Sequence, residues 1–178
     1  RVLFRSFNNI GFLAIEVPEH IMVEVRKEAQ TIQNDFSKAT PHNYKLAGNI
    51  AHEYDAMQLK PVLNELLLQL VSDYNESFDY IKTIQTHTKN VPFEVDSLWF
   101  NFQAKGEYNP LHSHSGVYSF AMWVKIPYDR PQEIAYSPKI PANKNKNGCF
   151  AFMYTTTLGS LAEHIIPLDS TFENKLVF

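Results

Sequence analysis

One change of rhythm limits what this chain can fold into: its apolar residues recur every three or four positions up to about Thr83, and every second position from there on. Ahead of the change, Ile21, Val25, Ala29, Ile32 and Phe36 fall on one side of an amphipathic helix opened by Pro18, with Glu24, Arg26, Lys27, Glu28 and Gln30 between them. A second helix, from Met57 to about Ile81, aligns Leu63, Leu66, Leu67, Leu70, Tyr74, Phe78 and Ile81, and it tolerates Pro61 because a first-turn residue needs no N–H partner. Phe7 to Val17 alternates and reads as a strand ending at Pro18, while the polar stretch Ser37 to Tyr54 reads as a surface loop with His42 and His52 in solvent. After Thr83, short strands follow one another between Pro, Gly and Asn clusters. Helices first and sheet after argue against an alternating parallel sheet and for an α+β, mostly β fold, a sandwich or barrel buttressed by N-terminal helices.

Composition narrows the partners. The chain has 178 residues, enough for one domain with a core, and its thirteen Phe and nine Tyr demand packing. A net charge of −3 lacks the basic excess that phosphate binding favours, so nucleic acid is a poor expectation. The one cysteine, Cys149, forms no internal disulfide and reads as a small strand residue; with no long apolar run it points to a reducing, cytoplasmic setting without a membrane partner. Lys139 to Gly148 reads as a solvated basic hairpin connection.

Both ends look altered. Arg1 to Ser6 (RVLFRS) reads as translated adapter sequence, and Lys175 to Phe178 as a strand cut in progress, so a single domain from Phe7 to Phe178, incomplete at its C-terminus, is expected.

The chemistry concentrates between Ser97 and Asp129. In extended backbone Trp99, Asn101 and Gln103 share one face and Leu98, Phe100 and Phe102 the other; a second strand over Val117 to Ile126 alternates in the same way. A partly polar face on so aromatic a strand suggests a lined cavity. Between the strands lies Asn109-Pro110-Leu111-His112-Ser113-His114-Ser115-Gly116. Residues two apart point the same way with Cα atoms about 7 Å apart, so the imidazoles of His112 and His114 can converge on one ion at roughly 2.0–2.2 Å each. Imidazole suits Fe, Zn, Cu and Ni, and two ligands alone rarely hold a divalent ion. A hydrogen-bonded turn is the plainer reading of a lone His-x-His.

The block W-F-N-F-x-x-x-G-x-Y-N-P-x-H-S-H-S-G-x-Y-S-F-x-x-W-x-K-I-P-Y, occupying Trp99 to Tyr128, resembles the 2-oxoglutarate and Fe(II)-dependent oxygenases of phage and marine bacteria, relatives of prolyl hydroxylases. Weaker similarity reaches Gly148 to Tyr154 (GCFAFMY) and the helices. The resemblance implies a double-stranded β-helix, or jelly roll, with Fe(II) held by a first His, an acidic residue two positions on and a distal His. The first His matches His112. The acidic position is taken by His114, which keeps a donor there but removes one negative charge. The distal His and the Arg for the 2-oxoglutarate carboxylate would follow a strand like the one at Leu176.

By the same resemblance Tyr108 contacts 2-oxoglutarate, with Asn101 and Trp99 lining that face, and Lys125 is a candidate for the cosubstrate carboxylate. His164 is a candidate third ligand, although a polar strand-edge histidine is the plainer reading. The implied activity is hydroxylation of an unknown small-molecule or protein substrate, with O2 consumed and succinate and CO2 released, in the host cytoplasm if the protein is phage-encoded. The loops at Tyr44 to Tyr54 and Asp129 to Asn147 would shape the substrate pocket. A cupin is the nearest alternative: Gly106, five residues, then His112-Ser113-His114 match its first motif, but Tyr118 and Ser119 stand where its Glu would be. A non-catalytic jelly roll that binds sugar or packs in a virion is the third.

Overall fold

The computed structural model describes residues 11–84, 91–156 and 158–178. Arg1 to Ser6, and with them the adapter reading, lie outside these residues, as does the first part of the expected strand from Phe7. The described residues divide into two compact units, residues 11–121 with Val177–Phe178, and Met122–Leu176.

The first unit begins with the short strand β1, Ala14–Glu16, and the helix α1, Glu19–Asn34. Pro18 starts the helix by offering its carbonyl to the N–H groups of Ile21 and Met22, at 2.9 and 3.1 Å. Asp35 follows the helix, its carboxylate accepting the Ser37 N–H. Of the expected stripe Ile21, Val25 and Ile32 are buried, with Met22 beside them, while Ala29 is half-buried and Phe36 falls past the helix, in the 3-10 turn Phe36–Lys38. The stretch expected to be an irregular loop contains a strand after all, β2, Glu53–Asp55. The helix α2, Lys60–Phe78, buries Leu63, Leu67, Leu70 and Tyr74 against the rest of the unit, with Pro61 in its first turn. Asp79, in the left-handed region at φ 50°, ends it and a single 3-10 turn, Tyr80–Lys82, follows.

Strand β3, Trp99–Asn101, pairs antiparallel with β2 in the register Glu53↔Asn101, Tyr54↔Phe100 and Asp55↔Trp99. Opposed residues share a face, so Glu53, Asp55, Trp99 and Asn101 lie on one side of this ribbon and Tyr54 and Phe100 on the other. On that second side Phe36 stacks on both His52 and Tyr54 and meets Phe102 edge-on. The half-polar strand face expected from the alternation is therefore present, although the strand is only three residues long. Leu13 and Phe178 exchange both backbone hydrogen bonds at 2.9 Å, so the C-terminal alternation is a paired strand.

Strand β4, Ala121–Met122, and strand β7, Lys175–Val177, each straddle the division between the units. The second unit holds α3, Arg130–Ala135, which the alternating pattern did not suggest, and the hairpin β5, Cys149–Thr155, with β6, Leu161–Pro167. The hairpin pairs fully from Cys149↔Pro167 to Thr155↔Leu161. Trp123 meets Phe150 and Phe172 edge-on, and Ile126, Ile166, Leu168 and Leu176 are buried. Cys149 stands in a strand, as expected, half-buried beneath the Arg130 guanidinium at 3.3 Å. The Lys139–Gly148 loop is more than a solvated connection: Asn145 is buried, and Asn147 donates to the Glu133 carbonyl at 2.8 Å, anchoring the loop to α3. The described residues are thus mixed helix and small antiparallel pairings, and no closed barrel is formed among them.

Candidate metal-binding histidine pair

The histidine pair lies in the first unit, in irregular, exposed backbone after β3. Two pairings hold this segment beside β2. Asn49 and Tyr108 form an antiparallel bridge, the Asn49 N–H donating to the Tyr108 carbonyl at 2.8 Å. The Glu107 carboxylate accepts the N–H of Ala51 at 2.8 Å and that of Ala104 at 2.7 Å, and these donors hold its carboxyl below the usual glutamate range. A surface glutamate thereby fastens two loops that are distant in sequence.

His112 and His114 come together, with ring centroids 4.8 Å apart. Nδ1 of His112 lies 2.7 Å from the Pro110 carbonyl, which can only accept, so Nδ1 is the donor there and Nε2 is the nitrogen left to face a ligand. The ring of His114 stacks on Trp99 at 6.2 Å between centroids and 19° between planes. Desolvation, and after it the charge on His112, hold His114 below its ordinary 6.5, in the neutral form a ligand needs.

Trp99 also stacks on His42, which is 4% exposed. The expectation that His42 is solvated is thus overturned: its N–H donates to the Glu53 carbonyl at 2.8 Å, and its ring is packed on the indole. His52 is half-buried, its Nδ1 3.0 Å from the Tyr54 hydroxyl. Glu53, opposite Asn101, is 1% exposed; among the described residues its Oε1 has no hydrogen-bond partner and its Oε2 receives a long 3.4 Å contact from Asn43 Nδ2. Desolvation raises its carboxyl above 4.5, Glu107 raises it further and His112 opposes the rise. Gly48 lies against this group: a Cβ there would stand 2.6 Å from Asn109 Oδ1 and 2.8 Å from Glu53 Oε1.

Of the other expected residues, Trp99 and Asn101 share the face that carries Glu53, and Tyr108 is exposed, bound through its backbone to Asn49. Lys125 belongs to the other unit, where its ammonium lies 3.5 Å from the Glu173 carboxylate. His164 is an exposed residue of β6, also in the other unit. The expectations missed Glu53, His42 and Gly48. Their one signal was the alternation Glu53-Tyr54-Asp55, too short to separate a strand from a polar loop.

As donors the two imidazoles fit a mid-series divalent ion, one with a fixed tautomer and one held neutral. Among the described residues, no group of three or more His, Cys, Asp or Glu side chains is placed to hold an ion, so the fit is that of a pair. No described helix is long and apolar enough to cross a membrane. Comparison with family models, with curated proteins and with solved structures gives no match to this chain.

Proposed function

We propose that this chain is a 2-oxoglutarate-dependent oxygenase of the jelly-roll class, hydroxylating an as yet unidentified substrate. The observation that carries the reading is the convergence of His112 and His114, with Nδ1 of His112 tied to the Pro110 carbonyl and Nε2 left to donate. When bound, Fe(II) with 2-oxoglutarate and O2 supplies the chemistry, converting a C–H to a C–OH bond while O2 is consumed and succinate and CO2 leave.

The chain's own residues hold and orient. Pro110 fixes the tautomer of His112, and Trp99 stacks on the ring of His114. Trp99, Asn101 and Tyr108 give the surroundings the mixed aromatic and polar character that suits a small dicarboxylate.

Two measurements test this. Anaerobic titration with Fe(II) is expected to show binding that His112→Ala abolishes and His114→Asp tightens, because a carboxylate adds charge to the ion's surroundings. Succinate release with Fe(II), 2-oxoglutarate and ascorbate is expected to exceed background in the unaltered chain only. Equal, background succinate from the chain and its His112→Ala variant would end the oxygenase reading, and weaker binding by His114→Asp would remove His114 from the ligand set.

A further inference from the structure

Glu53 has no explanation in the packing of its strand. A carboxylate on β2 would ordinarily turn to solvent or meet a cation, yet Glu53 is 1% exposed and Oε1 meets no donor. No Lys or Arg forms an ion pair with it among the described residues. Gly48 and Asn109 close over it so tightly that a single added methyl would touch both Glu53 Oε1 and Asn109 Oδ1. Glu53 lies opposite Asn101 in the register, on the face where Trp99 supports His114. It is therefore a buried carboxyl on the ribbon face that carries Trp99, closed over by Asn109 three residues before His112.

We propose that Glu53, sealed under Gly48 and Asn109 at the start of the histidine segment, supplies the negative charge that His114 does not bring to the metal site. This rests on the metal reading above. The described residues hold no group of three ligating side chains, so Glu53 acts as a positioning and charge-balancing residue outside the ligand set. A dication on the histidine pair answers the carboxylate electrostatically, and the carboxylate in turn raises the affinity of neutral donors for the ion, as outer carboxylates do at other metal sites. Without the ion, the same burial makes Glu53 costly to keep charged, so metal loading and the state of Glu53 are linked.

The test is calorimetric titration of the whole chain with Co(II), alongside thermal unfolding with and without the metal. Glu53→Gln is expected to weaken Co(II) binding roughly tenfold and to shrink the metal-induced rise in Tm, while Glu53→Asp, which keeps the charge, stays within about threefold. Adding His114→Asp to Glu53→Gln is expected to restore the affinity, since it returns a negative charge to the ion. A merely structural Glu53 would change the stability of the metal-free chain and leave the Co(II) affinity alone. Should Glu53→Gln leave the affinity unchanged, or should the charge-keeping Glu53→Asp lose it tenfold, while His112→Ala abolishes binding, the inference falls and the metal site stands. Should His112→Ala bind Co(II) like the unaltered chain, the metal reading itself falls and takes the inference with it.

Discussion

His42 and Trp99 stack with their rings 5.6 Å apart and 7° from parallel, joining a residue of the Pro41–Asn43 segment to a strand more than fifty positions later. The same indole also stacks on His114. The rings of His42 and His114 are thus joined through Trp99, and this wall of the candidate site draws on a segment that the sequence pattern assigns to solvent.

Removing the first ring tests that wall. His42→Ala deletes a 4%-exposed side chain whose Nε2 lies 3.4 Å from Ser97 Oγ, and the cavity under Trp99 is expected to cost about 2–4 kcal/mol. Urea unfolding measures this. A midpoint unchanged from the unaltered chain would mean that the stack carries no packing energy.

Gly48→Ala asks whether the crowding over Glu53 is real. The added methyl meets Asn109 Oδ1 at 2.6 Å and Glu53 Oε1 at 2.8 Å, and one of them must move. The expected loss is roughly 1–3 kcal/mol, as for other overpacked sites. Equal stability by denaturant titration would show that the neighbours yield freely.

The pH dependence has a definite sign. Burial raises the Glu53 carboxyl above 4.5, so the folded chain favours the protonated form. Its contribution to stability is full below 4.5 and is lost as pH rises through the folded-state value. Metal-free chain is therefore expected to lose stability over that window, and Glu53→Gln to lose less of it. Parallel curves of stability against pH for the two proteins would contradict this.

Tyr118→Phe separates a hydrogen bond from packing. The Tyr118 hydroxyl donates to Asn75 Oδ1 at 2.6 Å, which also accepts the Ile81 N–H at 3.1 Å. The carboxamide oxygen keeps a partner when the hydroxyl goes, and the ring stays against Tyr74 and Phe178. The expected cost is about 1 kcal/mol or less, read by thermal unfolding. A loss of several times that would assign the hydroxyl a larger part in closing the end of α2.

The helices could be read directly, because their stripes are local: α1 and α2 bury residues that the three- and four-residue spacing picks out, and Pro18 and Pro61 fall where a helix start tolerates them. The adjacency of His112 and His114 is local as well, since residues two apart cannot separate far. What the sequence could not determine was everything set by pairing across distance. The register that puts Glu53 opposite Asn101, the bridge between Asn49 and Tyr108, and the burial of His42 all join segments about fifty or more residues apart, and a three-residue strand carries too little pattern to announce its partner. Sequence alone determined the helices and the neighbouring histidines. Tertiary structure decided that a lone glutamate would be sealed under Gly48 and Asn109, because only pairing distant loops could take its carboxylate out of water.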